Sequence, residues 1–336
     1  MDDWTEPGAF EVAPGVHRIP LPLPMDGLRA VNVYAIDNGD GLTLVDGGWA
    51  IEEARSLLER SLASIERKVS DISSFLVTHV HRDHYTQAVT VRREFGSHVS
   101  LGIGDKPTLD LIHATDVDED PHTEMLRRAG ASALAEEWGD FTADSTPDLS
   151  IWDYPDTWLE EDHQIPVGAR TIDAVSTPGH TQGHFVFADQ AERLLFAGDH
   201  VLPTITPSIG FEPVLADQPL VDFLDSLAKV RALPDMQLLP AHGPVTASSH
   251  VRVDELLAFH DERLDLCRAA IAANPGTSYD VAQQLPWTKR NRRIAEMDVF
   301  NSALATLETR AHLELLVARG EFIRELVDGA WVYTTA

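Results

Sequence analysis

Three histidines and an aspartate fall within six positions in the stretch Thr78-His79-Val80-His81-Arg82-Asp83-His84, after the apolar run that holds Ile72, Phe75, Leu76 and Val77. Such a run reads as a buried strand, so the polar cluster stands where a strand gives way to a loop. Imidazole nitrogen and carboxylate oxygen are the donors that zinc and related divalent ions take. Without a cation, several polar rings would share one small volume with their hydrogen-bonding capacity unmet. The plain alternative is a histidine-rich polar loop, and a cluster this dense favours a metal site over it.

One loop cannot supply a full ligand set, so further donors must come from other strand ends. His180 lies in Ser176-Thr177-Pro178-Gly179-His180, after Thr171, Ile172, Ala174 and Val175, with Pro-Gly marking a turn. Asp199 closes Leu194-Leu195-Phe196-Ala197-Gly198-Asp199, and His242 lies in Leu238-Leu239-Pro240-Ala241-His242-Gly243. Each alone is weak evidence. Together, four apolar strands ending in His or Asp make a pattern.

This set resembles the metallo-β-lactamase superfamily, whose signature is His-x-His-x-Asp-His followed by a distant His, Asp and His, and the likeness covers residues 15–248. The resemblance implies an α/β fold, a four-layer αβ/βα sandwich with two metal ions at its edge. It gives His79, His81 and His180 to the first ion, Asp83, His84 and His242 to the second, and makes Asp199 the bridge. The complete His/Asp set is more similar to the glyoxalase II and lactonase branch than to true β-lactamases, several of which use a cysteine ligand. Oxygen-reducing di-iron relatives carry glutamate where His81 stands. Two cations about 3.5–4 Å apart polarise a bridging water, and bound zinc brings water's pKa near 7, so hydroxide becomes available without a serine or cysteine. One ion then polarises a carbonyl or phosphoryl oxygen and the other stabilises the leaving atom. In this scheme Asp199 holds the spacing and Asp83 also orients the nucleophile. Zinc is the default, while iron or manganese suit the same donors.

Positioning these side chains requires strands and helices in alternation. Residues 16–24, 30–36 and 42–45 read as strands, 51–65 as a helix with Ala54, Leu57, Leu58 and Leu62 on one face, 85–95 as a helix and 98–101 as a strand. Residues 1–16 carry Pro and Gly and read as irregular. Asp46, in Asp46-Gly47-Gly48 at a strand end, either accepts a ligand imidazole's free N–H or is simply a turn acid. His184 and His200, close behind His180 and Asp199, either support the site or meet substrate, with support favoured. The remaining histidines, His260 and His312 among them, lack companions at ligand spacing and read as ordinary.

Between residues 105 and 160 the pattern breaks, with 15 acids against 3 bases, a local balance of −12. The stretch is long for a plain connection, and helical spacing over 109–113 and 122–138 predicts an inserted lid. Its Trp138, Phe141, Trp152, Tyr154 and Trp158 either wall a pocket or pack the insert down. The turn-rich run 201–210 starts beside Asp199 and is a place to look for substrate contacts.

With 336 residues the chain divides comfortably into a catalytic domain over 1–248 and a linker helix plus small domain over 249–336. Helices over 217–233, 250–273, 277–285 and 299–319 and a hairpin turning at Asp328-Gly329 are expected. The terminal order of helix, helix and hairpin resembles a winged-helix domain, as in the branch that includes the mammalian lactamase-beta-like endoribonuclease. Lys289, Arg290, Arg292 and Arg293 invite a nucleic-acid reading. Yet residues 276–336 hold 7 bases and 8 acids, a balance of −1, and the rest of the chain carries −27. That charge opposes phosphate-backbone binding. The winged fold serves equally as a homodimer contact or a wall of the active site.

No run of 18 apolar residues and no basic-apolar leader predicts neither a membrane span nor secretion. The single cysteine, Cys267, cannot form an internal disulfide, which suits the cytoplasm. The sequence therefore predicts a cytoplasmic binuclear metallohydrolase acting on a small ester, thioester or lactone. A metal-dependent phosphodiesterase or single-strand RNA endonuclease is the runner-up. A nucleic-acid-binding regulator with a structural or sensory metal is a third reading, disfavoured by the complete ligand set.

Overall fold

The structure, a computed structural model, describes residues 3–24, 27–114, 120–143, 148–287 and 292–336. Parts of the expected lid, and Lys289 and Arg290 of the basic cluster, lie outside the described residues. Two compact units are present, the first comprising Met1–His113, Asp148–Pro207 and Ser226–Asp254, the second Ala114–Pro147, Ser208–Asp225 and Glu255–Ala336.

In the first unit, β1 (Phe10–Ala13), β2 (Val16–Pro22), β3 (Ala30–Asp37) and β4 (Leu42–Val45) run antiparallel, then α1 (Glu52–Ser64) leads to β5 (Ile72–Leu76). Next come α2 (Arg82–Phe95), β6 (His98–Gly102) and α3 (Lys106–His113). The segment that follows, α4 (Pro121–Arg128) and α5 (Ser132–Thr142), belongs to the second unit, and the chain then returns through β7 (Thr157–Leu159). Strands β1 to β7 form one seven-stranded sheet in sequence order. A second, five-stranded sheet holds β8 (His163–Val167), β9 (Arg170–Ser176), β10 (Phe185–Asp189) and β11 (Leu194–Gly198), with α6 (Pro219–Ala232) preceding its last strand, β12 (Gln237–Pro240).

Strand alternation distributes the core. Val31, Val33 and Ala35 of β3 face α1 and α2 and meet Leu58, Tyr85 and Val89, while Tyr34 and Ile36 point the other way. There they join Ile172, Ala174, Phe185, Phe187 and Phe196 of the second sheet. Two sheets thus pack face to face, with helices covering the outer face of the first. Burying both faces of β3 leaves seven of its eight residues inaccessible, as expected of a strand with apolar layers on each side.

The second unit contains α7 (Ser249–Ala273) from Glu255 onward, then β13 (Gly276–Thr277), α8 (Ser278–Gln284), α9 (Val299–Ala318), β14 (Phe322–Val327) and β15 (Ala330–Thr335), the strands ordered β13-β15-β14. Helix α9 is buried around much of its circumference, the pattern of a central helix. Thr277 and Asp280 cap α8 reciprocally.

Some expectations are corrected. The N-terminal stretch is not wholly irregular, because Phe10 to Ala13 pair with β2. The helix after the histidine cluster starts at Arg82 rather than Tyr85, so Asp83 and His84 sit in its first turn, where a carboxylate interacts favourably with the helix dipole. The single helix expected over 122–138 is broken at Gly130, whose φ is +84° and where a Cβ would lie 2.4 Å from Thr277 Oγ1. Trp152 and Trp158 pack against the first sheet's core, and Trp138 packs with Phe211 and His122 within the second unit.

His260 and His312, which looked ordinary, face each other in the second unit. Both are buried, with His260 Nδ1 3.1 Å from His312 Nε2. His312 Nδ1–H donates to the Glu308 carbonyl, so its Nε2 accepts from His260. Burial pushes His312 down to about 4, and burial, His312 and Arg263 hold His260 well below the usual imidazole range. The unfolded chain therefore binds protons that the folded pair refuses, and stability falls as pH drops below about 6.5. Glu308, pushed up to about 7 by burial, opposes this in part. Replacing both histidines by leucine should therefore flatten the acid limb. Between pH 7 and 4 the difference in unfolding free energy between the two proteins should change by about 3 kcal/mol for His312 alone, measured by denaturant titration at each pH.

Candidate metal centre

Parallel pairing of β4 with β5, and of β11 with β12, brings their C-terminal ends side by side. Strands β9 and β11 each run antiparallel to β10 and so share one direction. Asp46, the 79–84 loop, His180, Asp199 and His242 all follow the C-terminal ends of these strands and converge at one edge of the two sheets.

Two groups of donors result. His79, His81, His180 and Asp199 form the first, and Asp83, His84 and His242 the second, the donor atoms within each lying inside 4.8 Å of one another. In the first, His79 Nε2 is 2.9 Å and His180 Nε2 3.2 Å from His81 Nδ1. In the second, Asp83 Oδ2 is 3.6 Å from His84 Nε2 and 3.4 Å from His242 Nε2. Asp199 faces both: Oδ2 is 3.6 Å from His180 Nε2, and Oδ1 is 3.7 Å from His84 Nε2 and 3.3 Å from His242 Nε2.

The surroundings fix which nitrogen each ring presents. Thr78 Oγ1 donates its only hydrogen to the Asp46 carboxylate, so at 3.0 Å it must accept from His79 Nδ1–H. His84 Nδ1–H donates to Asp46 Oδ2 at 2.9 Å, and His242 Nδ1–H to the Ala30 carbonyl at 2.8 Å. Each ring thereby turns Nε2 inward. His84 Nε2, His242 Nε2 and Asp199 Oδ1 are buried without a hydrogen-bond partner among the described residues. Orphaned polar atoms of this kind call for an ion or water, and the His/Asp set fits a divalent cation.

Charge divides the groups. Burial, then neighbouring His84, His81, His180 and His184, holds His79 well below the usual imidazole range, so His79 is a neutral donor. In the second, burial disfavours the imidazolium, but Asp46, Asp83 and Asp199 outweigh it and raise His84 to about 10. Asp199 and Asp83 likewise raise His242 against burial. Burial would raise Asp83, yet His84 and His242 hold its carboxyl well below the ordinary range. These carboxylates favour positive charge at their centre, whether a proton or a metal supplies it.

Asp46 therefore contacts His84 directly. His184 Nδ1 lies 2.9 Å from Thr177 Oγ1 and its Nε2 accepts the Asp199 backbone N–H at 3.2 Å, so it orients the loop of Asp199. His200 is buried beside His184, ring centroids 5.9 Å apart, and burial pushes it down to about 3. The loop after it is tied by Arg252, which donates to the carbonyls of Leu202 and Ile205. Thr78 and the Ala30 carbonyl were missed from sequence. Thr78 stands within the motif and offered a signal, whereas a backbone carbonyl offers none.

Among known proteins, a probable metallo-hydrolase of Bacillus subtilis, YqjP, is 26% identical over 94% of this chain and 95% of its own length. A hydroxyacylglutathione hydrolase of Bartonella henselae is 40% identical over 84 residues, 25% of this chain and 31% of that protein. The crystal structure of a beta-lactamase domain protein from Burkholderia ambifaria superposes with a TM-score of 0.78 and 27% identity, covering 100% of this chain and 97% of that one. The family model of the metallo-beta-lactamase superfamily matches residues 26–242, a span that contains every donor of both groups, and the chain belongs to that superfamily.

Proposed function

We propose that the chain is a binuclear metal-dependent hydrolase. His79, His81, His180 and Asp199 would hold the first ion, and Asp83, His84 and His242, with Asp199 shared, would hold the second. The observation that carries this reading is Asp199, whose two carboxyl oxygens face different groups of imidazole nitrogens. The donor set suits zinc first, with iron or manganese compatible. Divalent ions held there would supply Lewis acidity and a water of lowered pKa.

The chain's own residues do the rest. Asp46, Thr78 and the Ala30 carbonyl hold the rings in the required tautomers. Asp199 separates the two positions and offsets part of the positive charge. Asp83, kept ionised by His84 and His242, would accept a hydrogen bond from the attacking water and so orient it. A small ester, thioester or lactone is the favoured substrate, supported by the likeness to a hydroxyacylglutathione hydrolase and by a net charge of −28, which repels polyanions.

The order β13, α8, α9, β14, β15 supports a winged-helix reading of residues 276–336, and the near-neutral charge of that stretch supports protein contact over nucleic-acid binding. Among the described residues no helix is long and apolar enough to cross a membrane. The single cysteine is buried, with burial pushing its thiol up to about 12, so it is an unreactive core residue; a cytoplasmic setting rests on the lack of a cysteine pair.

Elemental analysis of the purified protein should find two divalent ions per chain. Both His81→Ala and Asp199→Ala should lower that number and cut turnover by on the order of a thousandfold or more, while far-UV circular dichroism stays unchanged. On a panel of p-nitrophenyl esters, lactones and glutathione thioesters, metal-dependent turnover should appear. Cutting of single-stranded RNA with none of that panel hydrolysed would select the phosphodiesterase instead, and duplex-DNA binding that survives ligand substitution would select the regulator.

A further inference from the structure

The three imidazoles of the first group come from two loops more than ninety residues apart in sequence, 79–81 and 180–184, and something must set the distance between them. One side chain touches both. Asp105, 1% exposed, closes the short helical turn after β6, and its Oδ2 accepts the Val80 N–H at 2.8 Å. Its Oδ1 accepts the Gly183 N–H, also at 2.8 Å. Val80 is the residue between ligands His79 and His81, and Gly183 lies three residues beyond His180 and one before His184.

Space at this junction is reserved for the contact. A Cβ on Gly102 would lie 1.9 Å from the Gly183 carbonyl oxygen, one on Gly104 2.3 Å from that of Gln182, and one on Gly183 2.4 Å from the Asp105 nitrogen. Each clash is with backbone, which cannot swing aside as a flexible side chain would. A further tie between the two segments is the Phe185 N–H donating to the Thr78 carbonyl at 2.8 Å, on the far side of His184.

We infer that Asp105 is a positioning residue for the first metal position: its carboxylate clamps the peptide between His79 and His81 to the loop that carries His180. This rests on the assignment of His79, His81, His180 and Asp199 to one ion. Two acceptors are needed because two N–H groups arrive, one at each oxygen. An asparagine keeps the shape but offers only one acceptor and turns an NH2 toward the other donor. Both of these Asp105 contacts fall on the loops that carry His79, His81 and His180, so the first position is where the effect is expected.

The test uses the full chain in two backgrounds. In His242→Ala, where the second position lacks a donor, zinc and cobalt(II) are titrated against a chromophoric chelator. Adding Asp105→Asn should weaken binding by about 10–100-fold and alter the cobalt ligand-field spectrum. In His79→Ala, where the first position lacks a donor, Asp105→Asn should leave affinity within about twofold. Unchanged affinity in the first background, or equal loss in both, overturns the inference. Failure of the wild-type chain to take up any ion overturns the metal reading itself. Should Asp105→Asn not fold, hydrogen exchange of the wild-type, metal-free chain decides: the Val80 and Gly183 amides should be protected, and exchange at the rate of an open loop overturns the clamp.

Discussion

Imidazole nitrogens and carboxylate oxygens converge on a common point, and one edge of the first unit is arranged to hold them there. His79 and His180 direct Nε2 toward His81 Nδ1 at 2.9 and 3.2 Å. With its Nδ1–H already committed to Thr78, His79 has no proton left for a neighbour. The second group adds carboxylates to the same problem, and there neighbouring acids draw positive charge onto His84 and His242. Such an arrangement is unfavourable alone and favourable around a cation, so it persists only because the folded chain over-determines it.

That over-determination is topological. No helix or loop by itself could bring residues 46, 79–84, 180, 199 and 242 together. Parallel neighbours within each sheet can, because parallel strands end at the same edge, and face-to-face packing of the sheets then lays one set of strand ends against the other. The buried faces of β3, β9, β10 and β11 therefore contribute to the site through register: a slip of one residue would turn inward-facing side chains outward. Apolar packing supplies the rigidity, and the polar residues spend it at the edge.

The donors were legible in the sequence because two local signals coincide at each, an apolar strand and a His or Asp just past its end. Asp46 was legible only as one of two roles, since its choice depends on His84, 38 residues away. Asp105 was not legible at all. It opens a stretch with 15 acids, and nothing in its neighbours distinguishes it from the exposed ones. The His260–His312 pair failed for the same reason: a contact across 52 residues leaves no mark on local spacing. Gly130, which falls within a helical pattern, breaks it by adopting a left-handed φ of +84°, and its lack of a side chain leaves room for Thr277. Periodicity reports which face is buried, and it is silent on which distant polar group arrives there.

Asp46 shows how such long-range demands are met locally. Its φ of +63° places a non-glycine residue in the left-handed region directly after β4, a conformation costing on the order of 1–3 kcal/mol. Glycine would remove that cost. It would also remove the acceptor for three donors, the Thr78 N–H at 2.8 Å, the Thr78 hydroxyl at 2.9 Å and His84 Nδ1–H at 2.9 Å, all of them buried. Leaving a buried donor unmet costs about 1–3 kcal/mol each, so three losses outweigh one strained torsion. The left-handed turn also returns the chain so that the Asp46 N–H reaches the Leu76 carbonyl at 3.1 Å. The strained residue thus joins the end of β4 to the end of β5, and the orientation of His79 and His84 follows from that junction.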